Sequence, residues 1–209
     1  GVTGAAGLRW RPGPQDSVNL SFQAAPTWNT LDIVQAEVSA TNAPRQLLLG
    51  RTDFDRNFTA EFGGDWEHRF AGGVSAKLIT LISNTSVDQH DTFEIQTFPA
   101  AFLTRTQDRS TRGGERIIRG RLKWTASNAH TFEAGGEGAF NYRDTTLDIT
   151  SQPRGGPVTR VPLAVSDARV EETRGEAFAT DIWTVTPQLT VESGINVEAS
   201  RITQTGDQR

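Results

Sequence analysis

Imidazoles and carboxylates are the side chains most able to move protons or hold a metal, and this chain of 209 residues carries three His and 25 Asp+Glu. His68, His90 and His130 lie far apart in sequence. Only Asp88-Gln89-His90-Asp91 gathers an imidazole and two carboxylates within a few residues, a set of potential nitrogen and oxygen ligands. No second ligand cluster supports it, so the stretch is read as a solvated loop tip and no metal is expected. Glu171 and Glu172 are adjacent, which in a strand sends them to opposite faces rather than into a dyad. Neither a G-x-S-x-G nucleophile elbow nor a phosphate-binding G-x-x-x-x-G-K occurs, and the Gly pairs read as turn, strand and loop flexibility. No catalytic residue, cofactor or enzymatic activity is expected.

One charge pattern remains. Arg119, Arg121 and Lys123 alternate along one segment, and Glu133 and Glu137 alternate along the next. If the segments are paired strands, these side chains meet as a ladder worth roughly 0.2–1 kcal/mol per pair. The competing reading is a basic surface that guides an anionic solute.

The elements that would carry such a ladder are constrained by composition. With no Cys there is no disulfide framework and no thiolate metal site. Apolar runs such as Leu47-Leu48-Leu49 fall far below the ~18 residues of a membrane-spanning helix. Gly1-Val2-Thr3-Gly4-Ala5-Ala6-Gly7 lacks the basic and apolar regions of a signal peptide. A net charge of −4 without a basic stripe argues against a nucleic-acid partner.

Spacing says more than composition. Trp10, Trp66, Trp124 and Trp183 follow one another at intervals of 56, 58 and 59 residues, and each precedes a short polar segment rich in turn formers, at 11–16, 67–73, 125–129 and 184–188. A fourfold repeat of strand, Trp, turn and strand follows. The flanks alternate with period two, placing Phe54, Phe58, Ala60, Phe62, Gly64 and Trp66 on one face, with Arg56 as an exception on the polar-to-apolar count. Val18, Leu20, Phe22 and Ala24 alternate in the same way, as do Phe132 to Tyr142 and Leu189 to Ala199. Three strands alternate less well: Ile79, Leu81 and Ile117 fall on polar faces, and Asp181 falls on the Trp side opposite Phe178 and Ile182.

Between the hairpins, residues 25–53, 84–114 and 143–172 are rich in Pro, Gly, Thr, Asp and Arg and read as long loops. Several such loops count against a compact soluble domain. Short turns at one end and long loops at the other are the pattern of a bacterial outer-membrane barrel. Expected, then, is an all-β fold: a segment of a transmembrane antiparallel up-and-down β-barrel, about eight strands of a larger barrel, with short periplasmic turns and long extracellular loops. Trp10, Trp66, Trp124 and Trp183 would form its interfacial girdle, since indole joins an apolar body to one N–H donor. The alternative is that each Trp caps the core of a soluble sheet. The polar face would be the lumen wall, with Arg119, Arg121, Lys123, Glu133 and Glu137 on it. Both ends of the chain would lie outside the cell, and no Met stands at position 1, so part of a longer protein is expected.

The stretch His130 to Tyr142 (HTFEAGGEGAFNY), the stretch Val170 to Thr180 (VEETRGEAFAT), and Trp183 with the turn Thr186-Pro187-Gln188-Leu189-Thr190 resemble the barrel region of TonB-dependent outer-membrane receptors. The resemblance covers about the last eighty residues, and the hairpin rhythm extends it. It implies a 22-stranded barrel occluded by a plug, importing a scarce ligand such as a ferric siderophore, cobalamin or an oligosaccharide, with energy delivered by the TonB complex. Neither plug nor TonB box is found in this sequence, so TonB contact is assigned to no residue. Outer-membrane lipid and an unidentified small molecule are the remaining partners. Candidate ligand contacts, chosen for their place in the expected loops, are Trp28, Arg45, Arg51, Asp88, His90, Phe98, Phe102, Arg105 and Arg109. Phe98-Pro99-Ala100-Ala101-Phe102-Leu103 is apolar for a loop tip, and reads either as a ligand-facing patch or as a loop packed on its neighbour. Two other functions stay open: a passive porin or structural barrel, and a soluble β-rich binding module.

Overall fold

Period-two alternation along most of the chain builds one antiparallel sheet. The computed structural model describes residues 1–207. The strands are β1 (Gly4–Trp10), β2 (Asp16–Val38), β3 (Pro44–Arg69), β4 (Val74–Thr97), β5 (Ala101–Thr125), β6 (His130–Pro153), β7 (Thr159–Arg160), β8 (Asp167–Thr186) and β9 (Leu189–Asp207). Each pairs with its neighbour in chain order, except that the two-residue β7 lies beside β6 and β6 goes on to pair with β8. β1 and β9 are the sheet's two edges and do not pair with each other, so the sheet is open.

The short connections after Trp10, Trp66, Trp124 and Trp183 are tighter than expected, at 11–15, 70–73, 126–129 and 187–188, because residues 67–69 and 184–186 are still strand. Between β3 and β4 a single 3-10 turn at Ala71–Gly73 reverses the chain, with Gly72 and Gly73 at φ 74° and 76°, backbone angles at which a side chain would be strained. Phe70 N donates to Val74 O across that turn at 2.8 Å.

The long loops are a correction. Residues 25–53, 84–114 and 143–172 are strand for most of their length, and the connections at that end shrink to 39–43, 98–100 and 154–166, the last interrupted by β7. β3, β4, β5 and β6 run for 26, 24, 25 and 24 residues. Their ladders continue through the polar stretches with β4 and β5 in register from Val74↔Trp124 to Thr97↔Ala101. Backbone N–H and C=O groups pair whatever the side chains are, so a polar composition does not end a strand.

One extra residue in β3 changes which side chains share a face: it shifts the register between Phe54 and Arg56 where β3 meets β4, and between Thr27 and Asn29 where β2 meets β3. A bulge adds one residue and inverts the alternation beyond it. Phe54 therefore belongs to the face opposite Phe58 and Trp66, and Asp53 crosses to the Trp side. Arg56, the exception in the pattern, marks the bulge.

Almost nothing is buried. Ala139 is the one buried apolar residue among those described, and it lies beside Ile117, which is opposite Leu81 on β4. The residues that broke the alternation on β4 and β5 thus converge as a small apolar patch on the polar face.

Candidate functional site: two faces of one sheet

The Trp face carries a band of exposed apolar side chains. Phe22, Phe62, Ile118, Leu122, Ile195 and Val197 are 38–68% exposed, with no second layer over them. Along β3 the band runs from Trp66 to Phe58, about 26 Å of strand at ~3.3 Å per residue.

A row of rings edges the band at the short turns. Trp10 lies opposite Val18, which lies opposite Trp66; Trp124 lies opposite Phe132; His130 lies opposite Trp183. Trp66 Nε1 donates to Asp16 Oδ1 at 3.1 Å, and His68 Nδ1 donates to the same oxygen at 2.8 Å. His68 packs between Trp66 and Phe70. At the other end of the row His130 stacks on both Phe132 and Trp183 and donates from Nδ1 to Asp181 at 3.1 Å. Asp181, misplaced on the Trp side by pattern alone, has its partner there. The His–Asp pairing across strands was not legible beforehand, because Asp16 and Asp181 lie 52 and 51 residues from the imidazoles they meet.

The opposite face carries the expected ladder. Arg121 Nη1 lies 3.3 Å from Glu133 Oε1, and Arg119 Nη1 lies 3.7 Å from Glu137 Oε2. Arg174, on β8, adds a shorter bond of 2.9 Å to Glu137. Lys123 stands directly opposite Glu133, yet the ion pair to that carboxylate comes diagonally from Arg121. Below it Arg9, Asn19, Asp65 and Lys77 continue the chain of contacts at 3.1–3.4 Å. Phe178, which sequence alone left unexplained on this face, lies under the Arg119 guanidinium, 5.2 Å from it.

Beyond the apolar band both faces turn polar, and the nine candidate ligand contacts divide between them. Arg51, Asp88, His90 and Phe102 lie on the Trp side, and Arg105 and Arg109 on the other. Arg45 is the second residue of β3, Trp28 stands on β2 across from the β3 bulge, and Phe98 is in the 98–100 turn. They do not converge on one surface. Asp88 and His90 point away from Gln89 and Asp91, so the Asp88-Gln89-His90-Asp91 stretch does not gather its ligands.

On the Trp side the charges are mostly paired: Arg51–Asp53 at 2.9 Å, Arg56–Asp88 at 3.5 Å, His90–Asp108 at 2.6 Å, Arg160–Asp148 at 2.7 Å and Arg169–Asp144 at 3.0 Å. The hydrogen bond to Asp108 raises the His90 imidazole above its ordinary range, helped by the charges of Asp108, Asp55 and Asp53 and opposed by partial burial. Hydrogen bonds from Arg51 and Thr30 hold the Asp53 carboxyl below its own.

On the other side Asp91, 3% exposed, is held by neutral donors among the described residues. Thr52 Oγ1 reaches it at 2.6 Å, Gln89 Nε2 at 2.9 and 3.0 Å, and Gln107 Nε2 at 3.2 Å. This carboxylate staples β3, β4 and β5 together.

Models of known protein families do not match this sequence, and the search of curated proteins found no match.

Proposed function

We propose that the sheet is part of the wall of a transmembrane β-barrel in a bacterial outer membrane. The barrel would be that of a TonB-dependent receptor importing a scarce ligand such as a ferric siderophore, cobalamin or an oligosaccharide. The observation that carries the reading is the uncovered apolar band on one face, bounded by Trp, His and Phe rings at the short turns. Large apolar patches on a soluble monomer are uncommon, and hydrocarbon is the solvent that favours them. The ion-paired face would line the lumen. Strands of 24–26 residues exceed the ~9–11 needed to cross a bilayer, so the polar halves would stand outside it. Open edges are not tolerated in lipid, so the reading requires further strands to close the barrel.

A passive porin is the second reading, favoured by the ion pairs of the lumen face, which satisfy their charges without a plug. Ion conductance in planar bilayers without an energy source would select it. A plug and TonB box in the reading frame around this sequence would select the receptor. Extraction by detergent alone, with heat-modifiable gel mobility, tests the barrel itself; solubility without detergent would support a β-rich binding module and overturn both.

A further inference from the structure

Arg105, Arg109 and Arg143 all project from the lumen-type face in the polar half of the sheet. Arg105 and Arg109 flank Gln107 along β5, and Arg143 follows on β6 opposite Gly113. All three are exposed. Among the described residues no carboxylate oxygen comes within 4.0 Å of their guanidinium nitrogens, and none of the three guanidinium groups has a hydrogen-bond partner, whereas Arg51, Arg56, Arg160 and Arg169 on the other face each have one carboxylate or more. Among the described residues the one carboxylate on this face between the rows of Arg105 and Arg143 is Asp91, whose oxygens are taken up by Thr52, Gln89 and Gln107; Glu115 and Glu172 follow diagonally beyond Arg143, outside ion-pair distance of it. Apolar side chains lie among the arginines: Phe93 opposite Arg105, and Leu147 opposite Arg109.

We infer that this face binds the anionic group of a soluble ligand that also has an apolar body, with Arg105, Arg109 and Arg143 as its cationic contacts. The inference rests on the receptor reading and narrows its ligand class. Guanidinium is planar, permanently charged and able to grip carboxylate, sulfonate or phosphate by two N–H groups at once, and such bonds exceed neutral ones in strength. Unpaired guanidinium groups reaching water keep that capacity for an incoming anion, whereas those held by Asp do not. The acidic residues of the polar half lie mainly on the other face, so an anion approaching this one meets a positive local field despite the net charge of −4. Arg105 and Arg109 carry the signal in sequence only as loop cations; Arg143 was outside it, because its partners on β5 become visible only with the register.

The test uses the full-length protein in detergent and two fluorescent probes of similar size, the trianion pyrenetrisulfonate and an uncharged hydroxymethylpyrene, read by anisotropy at low and high salt. Expected is binding of the trianion that weakens with salt, and a loss of about tenfold or more for the R105Q/R109Q/R143Q variant. The Lys versions of the same three positions should retain part of the affinity, and R160Q/R169Q on the other face should retain all of it. Addition of lipopolysaccharide should leave trianion binding unchanged; competition by it would assign the patch to lipid phosphate and overturn the inference. Equal affinity for both probes, or an unaltered Gln variant that keeps heat-modifiable mobility, would also overturn it while leaving the barrel reading intact. Loss of heat-modifiable mobility in the unmodified protein would instead strike at the receptor reading.

Discussion

Glu137 is the residue on which the lumen-type ladder depends, and replacing it by Gln has a calculable outcome. Its side chain is 13% exposed and takes Arg174 at 2.9 Å and Arg119 at 3.7 Å. Both arginines reach water, at 34% and 42%, which screens the pairs and places their combined worth between an exposed and a buried bridge, about 1–2 kcal/mol. An opposing effect arises from register: Glu137 stands directly opposite Glu176, which in turn stands opposite Glu198. Like charges directly across strands cost roughly 0.2–1 kcal/mol, and E137Q relieves one such contact. The net loss expected is therefore about 0–1.8 kcal/mol, centred near 1 kcal/mol, read as a lower urea midpoint in detergent with unchanged slope. A double-mutant cycle of E137Q with R174Q should show a larger coupling than the cycle with R119Q, following the distances, and E176Q should be neutral or stabilising by a few tenths of a kcal/mol. Zero coupling to both arginines, or a marked loss of stability in E176Q, would refute the reasoning that this face is organised by ion pairs.

Three further outcomes are expected. Ile118→Arg, at the middle of the apolar band and 56% exposed, should cost about 2–4 kcal/mol if that face meets lipid and no more than about 0.5 kcal/mol if it meets water, measured by unfolding in phospholipid bilayers. The cross-strand bond of His90, whose pKa is raised in the folded state, should be fully present below the unfolded imidazole value of about 6.5 and fade as pH rises through the higher folded value. Protection of the β4–β5 polar half against hydrogen exchange, corrected for the intrinsic base-catalysed rise, should accordingly fall across that window, and Asp108→Asn should remove most of the dependence, leaving the part due to the facing Asp53 and Asp55. Gly135→Ala should destabilise by about 1–3 kcal/mol, since a Cβ there would collide with Gly120 O and stand 2.8 Å from the Phe178 ring; a variant as heat-stable as the parent would show that the strands can part at this point.

What sequence by itself determined is the part of each strand with unlike surroundings on its two sides. Phe58-x-Ala60-x-Phe62-x-Gly64-x-Trp66 and its counterparts alternate because one face is apolar and the other polar, and so the hairpin turns, the Trp row and the Arg119–Glu137 and Arg121–Glu133 pairs were legible. The same rule explains the failure at residues 25–53, 84–114 and 143–172. There Asp88 and Gln89, or Asp108 and Arg109, are polar on both faces, so alternation carries no signal and a strand looks like a loop. Only tertiary pairing decided that these segments are extended, because the hydrogen bonds that hold them come from backbones on neighbouring strands. Register decided the rest: a bulge of one residue moved Phe54 and Asp53 across the sheet, and alignment of β5 with β6 brought Arg143 onto the face of Arg105 and Arg109. Position along the sequence does not encode which strand lies alongside, and it is the neighbouring strand that determines which charges meet.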